Sequence, residues 1–159
     1  MLGKCSDPFK ANSLLGQGKA GVIESYSECF LPTLEGRRIL IAENETAILQ
    51  LLKRLLSFHR VVVSEASNGE QALQLLRDPD QNFDLVVLDM VMPKLGGLKV
   101  RDLLRSENPD LPVLIMSGSI GPRPVGLDPL EYIAKPFSIT GFCARLQLLL
   151  RRRLKSNGG

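Results

Sequence analysis

No run of eighteen or more apolar residues occurs in the 159-residue chain, so the sequence gives no transmembrane helix. The first residues, Met1-Leu2-Gly3-Lys4-Cys5-Ser6-Asp7, lack a charged lead followed by an apolar core, so no secretory signal is expected and a cytoplasmic setting follows. The three cysteines (Cys5, Cys29 and Cys143) are odd in number and form no C-x-x-C pair, which disfavours a disulfide framework or a zinc site. Charge of one sign is scarce too. The net charge is +3, much of it in Arg151-Arg152-Arg153 with Lys155, a cluster expected to complement a helix C-terminus in solvent; nucleic-acid binding is not expected. The single histidine, His59, stands beside a strand start with no acidic helix near it and reads as a structural or surface residue.

What is present is the composition of a globular domain, 44% apolar and 23% charged, in a length suited to one domain. From residue 37 onward five short apolar runs recur: Ile39–Ala42, Val61–Val63, Leu85–Leu88, Val113–Met116 and Tyr132–Ala134. None alternates with polar residues, the habit of parallel strands buried on both faces. The segments between them carry helical spacing. Ala47, Ile48, Leu51, Leu52, Leu55 and Leu56 form one apolar face, Leu73, Leu75 and Leu76 a second, Val100, Leu103 and Leu104 a third. Ile139, Phe142, Leu146 and Leu149 mark a closing amphipathic helix. The alternation predicts an α/β three-layer sandwich with a five-stranded parallel sheet. The fourth crossover holds Pro122, Pro124, Pro129, Gly118, Gly121 and Gly126, so its helix is expected to be short or irregular.

Residues 1–36 fit none of this pattern and read as a poorly ordered N-terminal extension or linker; residues 37–155 form the domain and 156–159 a flexible tail. The extension contains Gly16-Gln17-Gly18-Lys19-Ala20-Gly21, a literal G-x-G-x-x-G, but no strand precedes it and no long helix follows, so it is not read as a dinucleotide site.

In an open parallel sheet, ligands bind beyond the carboxyl ends of the strands. Those ends are polar here. Strand one ends in Glu43-Asn44-Glu45, strand three in Asp89, strand four in Ser117 and strand five in Lys135-Pro136. Acids, an amide, a hydroxyl and an ammonium converging on one edge suit a hard cation and a phosphoryl group. Read alone, Asp89 could cap a turn before Pro93, Glu43 could be a solvated surface acid, and Tyr132 could simply pack at the end of an edge strand.

The blocks RRILIAENE, DLVVLDMVMPKLGG, VLIMSG and YIAKPF, in this order over about residues 37–153, resemble the four signature blocks of response-regulator receivers. The resemblance implies a flavodoxin-like sheet of order 2-1-3-4-5. It makes Asp89 the phosphoacceptor, attacking the phosphohistidine of a histidine kinase or histidine phosphotransfer protein. Glu43, Asn44, Asp89 and the backbone carbonyl of Val91 would hold Mg²⁺, Ser117 and Lys135 would bind phosphoryl oxygens, and Tyr132 would follow the switch. It also implies a cis Lys135–Pro136 bond.

The sequence departs from the family in two ways. Asn44 stands where the family commonly has a second aspartate, which implies weaker Mg²⁺ binding and slower phosphorylation. Val91 has no polar side chain to orient a hydrolytic water, which implies a long-lived phosphoryl state. Asn44 also keeps open a second function, a pseudo-receiver that binds partners without phosphorylation. The fragments Asp7-Pro8-Phe9, Gly16-Gln17-Gly18 and Cys29-Phe30-Leu31-Pro32 faintly resemble the tail of a kinase ATP-binding domain fused before a receiver, but no kinase activity is expected. No effector domain is expected after residue 155, so output would pass through contacts with a protein target the sequence does not name, and a homodimer remains open. The family's usual output surface, around the fourth crossover, is in doubt because of its prolines.

Overall fold

The computed structural model describes residues 33–118 and 121–156. The expected N-terminal extension falls almost wholly outside the described residues, as does all but the first residue of the 156–159 tail. Five parallel strands, β1 (Arg38–Ala42), β2 (Val62–Ala66), β3 (Leu85–Asp89), β4 (Val113–Ser117) and β5 (Tyr132–Ala134), form one sheet of order β2-β1-β3-β4-β5. Four helices cross between them or close the fold: α1 (Thr46–Phe58), α2 (Gly69–Arg77), α3 (Gly97–Glu107) and α4 (Ile139–Ser156).

The period-two geometry of a strand splits the core into two layers. Ile39 and Ile41 of β1, with Leu85 and Val87 of β3, pack against Leu52 and Leu56 of α1 and Phe142 and Leu146 of α4. Leu40, Val86, Leu88 and Ile115 point the other way, onto Ala72 and Leu73 of α2 and Val100 and Leu104 of α3. The central strands β3 and β4 are buried throughout, as continuous apolar runs require.

Two expectations need correction. The run Val61–Val63 reads in the sequence as buried on both faces, but the strand begins at Val62 and ends at Ala66, and Val62 is 51% exposed. β2 lies at the sheet edge, paired among the described residues only with β1, and its outer residues are exposed. On α1 the buried stripe is Leu49, Leu52, Leu55 and Leu56; Ala47 and Leu51 face outward and Ile48 is half-buried. A run so rich in leucine permits two overlapping stripes, and packing on the sheet selects one.

The fourth crossover holds, among the described residues, only a 3₁₀ turn at Pro129–Glu131. Ion pairs hold that segment instead of a helix. Glu131 accepts from Arg101 at 2.9 Å and from Arg105 at 2.6 Å, both on α3. Arg152 of α4 reaches Asp128 at 2.7 Å. The basic cluster is likewise not purely solvated, because Arg153 donates to the carbonyls of Phe83 (3.1 Å) and Asp84 (2.9 Å), pinning the end of α4 beneath β3. His59 is buried at the end of α1 and its Nδ1 has no hydrogen-bond partner among the described residues; burial lowers its pKa and favours the neutral ring, in keeping with a structural role. No helix among the described residues is long and apolar enough to cross a membrane.

Candidate functional site

Strand order reverses at the β1/β3 boundary, and the carboxyl ends of those strands carry Glu43 and Asp89. Backbone hydrogen bonds continue past the regular ladders and hold the tips in line. Glu43 N–H donates to the Ala66 carbonyl (3.0 Å), Met90 N–H to Met116 (2.7 Å) and Lys135 N–H to Ser117 (2.7 Å). The loop after β3 turns back at once into α3, and glycine is required there. A Cβ on Gly97 would sit 2.3 Å from the Asp89 carbonyl oxygen, so only a residue without one lets α3 start against the strand tip.

Three of the expected site residues meet in one contact. Lys135 Nζ lies 2.8 Å from Glu43 Oε2 and 3.0 Å from Asp89 Oδ1. The side chains are shielded: Glu43 is 0% exposed, Asp89 7% and Lys135 13%. The surface-acid reading of Glu43 and the turn-cap reading of Asp89 therefore both give way to a buried, mutually paired cluster. The Lys135–Pro136 bond is cis, as the resemblance implied.

Burial pushes the Asp89 carboxyl above its ordinary value of 3.8; the hydrogen bond from Lys135 pulls it back, and the charges of Glu43 and Glu45 add to the rise. For Lys135, burial acts downward and is the largest single effect. The hydrogen bonds to Glu43 and Asp89, with the charges of the same two carboxylates, together outweigh it and hold the ammonium above the ordinary lysine value of 10.5.

Ser117 is buried at the tip of β4, between the strands that carry Asp89 and Lys135. Tyr132 opens β5, half-buried against the α2/α3 side of the core. Asn44 is exposed, and no hydrogen bond among the described residues joins its side chain to Glu43, Asp89 or Lys135. Val91, in the loop past Asp89, is 65% exposed. Sequence reasoning assigned no role to Glu45, yet its Oε1 lies 3.7 Å from Lys135 Nζ and its backbone N–H donates to Glu43 Oε1 at 3.0 Å. The signal was a third acidic or amide residue on the same strand tip.

Among the described residues no three His, Cys, Asp or Glu side chains are grouped as ready metal ligands, since the Lys135 ammonium stands between Glu43 and Asp89. The donor chemistry nevertheless fits a hard cation. Glu43, Glu45 and Asp89 place three carboxylates around one ammonium, which leaves two formal negative charges that a divalent, oxygen-liganded ion would balance. A separate cleft of about 160 Å³ is lined by Arg105, Asp110, Glu131 and Arg152 among others, and Arg105 and Arg152 are engaged in the ion pairs described above.

Comparison with known proteins agrees with this fold. A family model for the response regulator receiver domain matches residues 39–147. The response regulator MprA of Mycolicibacterium vanbaalenii is 39% identical over 125 residues, which are 76% of this chain and 53% of that protein. The chain thus spans about half the length of the curated relatives it matches. The non-phosphorylated receiver domain of HemR from Leptospira biflexa is 30% identical with a TM-score of 0.64, covering 72% of this chain and 94% of that one. The receiver domain of the hybrid histidine kinase CckA is 29% identical with a TM-score of 0.60, covering 71% and 98%.

Proposed function

The chain belongs to the response-regulator receiver family of two-component signalling, and on that footing we propose that Asp89 accepts a phosphoryl group from a phosphohistidine donor in a Mg²⁺-dependent reaction. The observation that carries the reading is the Asp89–Lys135–Glu43 contact, with Lys135 Nζ 3.0 Å and 2.8 Å from the two carboxylates. Such an arrangement supplies a nucleophile and a fixed cation at one solvent-facing sheet edge.

In the transfer, one Asp89 carboxylate oxygen forms the new bond to phosphorus while the phosphorus–nitrogen bond of the donor breaks, and the imidazole leaves with its bonding pair and takes up a proton. Lys135 turns its ammonium toward the phosphoryl oxygens, and the Ser117 hydroxyl, on the intervening strand, donates to another. Glu43, Asp89, the Val91 carbonyl and the Asn44 amide oxygen are the groups that would hold Mg²⁺, directly or through water; when bound, the ion offsets charge on the phosphoryl group. Tyr132, half-buried on the strand that leads to Lys135, changes its packing as Lys135 and Ser117 shift toward the phosphoryl group. The donor is a histidine kinase or histidine phosphotransfer protein, and output passes to a protein partner.

Incubation with a small phosphodonor and Mg²⁺ tests this. The protein should gain one phosphoryl mass, the gain should vanish on chelation of the metal, and Asp89→Asn should show none. No gain in the parent protein would favour the pseudo-receiver reading that Asn44 suggests.

A further inference from the structure

We propose that Glu45 supplies the carboxylate that Asn44 lacks, acting as a cation-holding group of the Asp89 site, directly or through a coordinated water. The inference rests on the reading of Asp89 as a Mg²⁺-dependent phosphoacceptor.

Position 44 contributes no charge, and its amide is exposed without a hydrogen bond to the acids of the site among the described residues. Glu45 follows it as the N-cap residue just before α1, with an extended backbone (φ −82°, ψ 104°). A residue at this place normally spends its side chain on the first free amides of the helix, as Asn68 does for α2 by accepting from Gln71 N–H at 3.0 Å. Glu45 makes no such capping bond. Its carboxylate reaches across to Lys135 instead, to 3.7 Å, a loose contact that leaves the side chain 62% exposed.

Two further features tie Glu45 to the site rather than to bulk solvent. Glu43, wholly buried, spends one oxygen on Lys135 and the other on the backbone N–H of Glu45, so the inner acid fixes the peptide that carries the outer one. The Lys135 ammonium also contacts both Glu45 (3.7 Å) and Asp89 (3.0 Å), so the outer carboxylate shares a cation with the acceptor. A loosely held carboxylate on the solvent side of a buried pair can swing onto an incoming ion without exposing Glu43 or breaking the core. Mg²⁺ keeps several waters and takes only one or two protein carboxylates directly, a demand that a long, exposed glutamate meets.

Calorimetric titration of the full chain with Mg²⁺ alone, without phosphodonor, tests the proposal. Glu45→Gln should weaken Mg²⁺ binding by about tenfold or more, and adding Asn44→Asp to that variant should restore it. Circular dichroism should show both variants folded, because both positions are exposed. Affinity of Glu45→Gln within twofold of the parent, with binding abolished in Asp89→Asn, would overturn the role of Glu45 and leave the phosphoacceptor reading intact. Absence of Mg²⁺ binding in the parent, or its persistence in Asp89→Asn, would overturn both.

Discussion

The ammonium of Lys135 lies 3.0 Å from Oδ1 of Asp89, although Asp89 ends β3 and Lys135 follows β5, with β4 between the two strands. No local interaction brings them together. The sheet does, by aligning the tips of β3 and β5 in parallel register through β4, with Asp89 beside Met116 and Ser117 beside Ala134.

Lys135→Ala should destabilise the domain, because it leaves Glu43 and Asp89 buried without their shared cation. The expected loss is about 3 kcal/mol at neutral pH, the low end for a broken buried pair, since Lys135 retains some exposure. Urea unfolding of parent and variant measures it, and the gap should narrow in acid as the carboxylates become protonated. An unchanged midpoint at neutral pH would contradict the account.

Asp89 and Lys135 are both raised on folding, so both contributions to stability are lost as pH rises, but in different pH windows. The Asp89 carboxyl is raised above 3.8 in the folded protein, so its contribution to stability is full below that value and is lost as pH rises through the folded value. Asp89→Asn should remove that component and be the more stable protein at neutral pH. Lys135 is raised above 10.5, so its contribution persists through neutral pH and is lost only above that value, in alkali. Stability of the two proteins across pH, by chemical denaturation, checks both signs. The phosphorylation rate should climb as pH rises through the raised Asp89 value, because only the ionised carboxylate attacks.

Glu131→Gln should loosen the fourth crossover. The carboxylate holds Arg101 and Arg105 at once and is only 13% exposed, so replacing it with an amide should cost about 1.5–3 kcal/mol, the range for hydrogen bonds to charged groups. Amide hydrogen exchange should quicken in residues 128–134 while the β1 and β3 amides stay protected. Uniform exchange with the parent would show that the ion pairs do not hold this segment.

How much of this was readable in the chain follows the range of each interaction. Strands β1, β3, β4 and β5 were legible because each is a short run of bulky or β-branched residues that ends at a polar one, and Asp89, Lys135 and Ser117 stood out because they sit at the ends of those runs. The extent and exposure of β2 were not, since a strand's place at the sheet edge is a property of topology. The buried stripe of α1 was ambiguous among seven closely spaced apolar residues, Ala47 to Leu56. The Arg101–Glu131–Arg105 pairing left no local trace, its partners lying 30 and 26 residues apart. Glu45 was visible as a residue but not as a neighbour of Lys135, 90 positions away, because that contact depends on two strand tips meeting.

Val91 is largely exposed in the loop just past Asp89 and has no polar side chain to aim a water at a bound phosphoryl. The phosphorylated state should therefore last minutes or longer once donor is removed, followed as loss of the added mass. Val91→Glu should shorten it. A half-life of seconds in the parent would contradict the assignment.

The central claim is that Asp89 itself takes the phosphoryl group. Borohydride reduces an acyl phosphate to an alcohol, so treatment after phosphodonor and Mg²⁺ marks the modified residue for peptide mass spectrometry. Homoserine should appear at position 89, dependent on both donor and metal. Reduction at another acid, or at none while the mass gain persists, would contradict it.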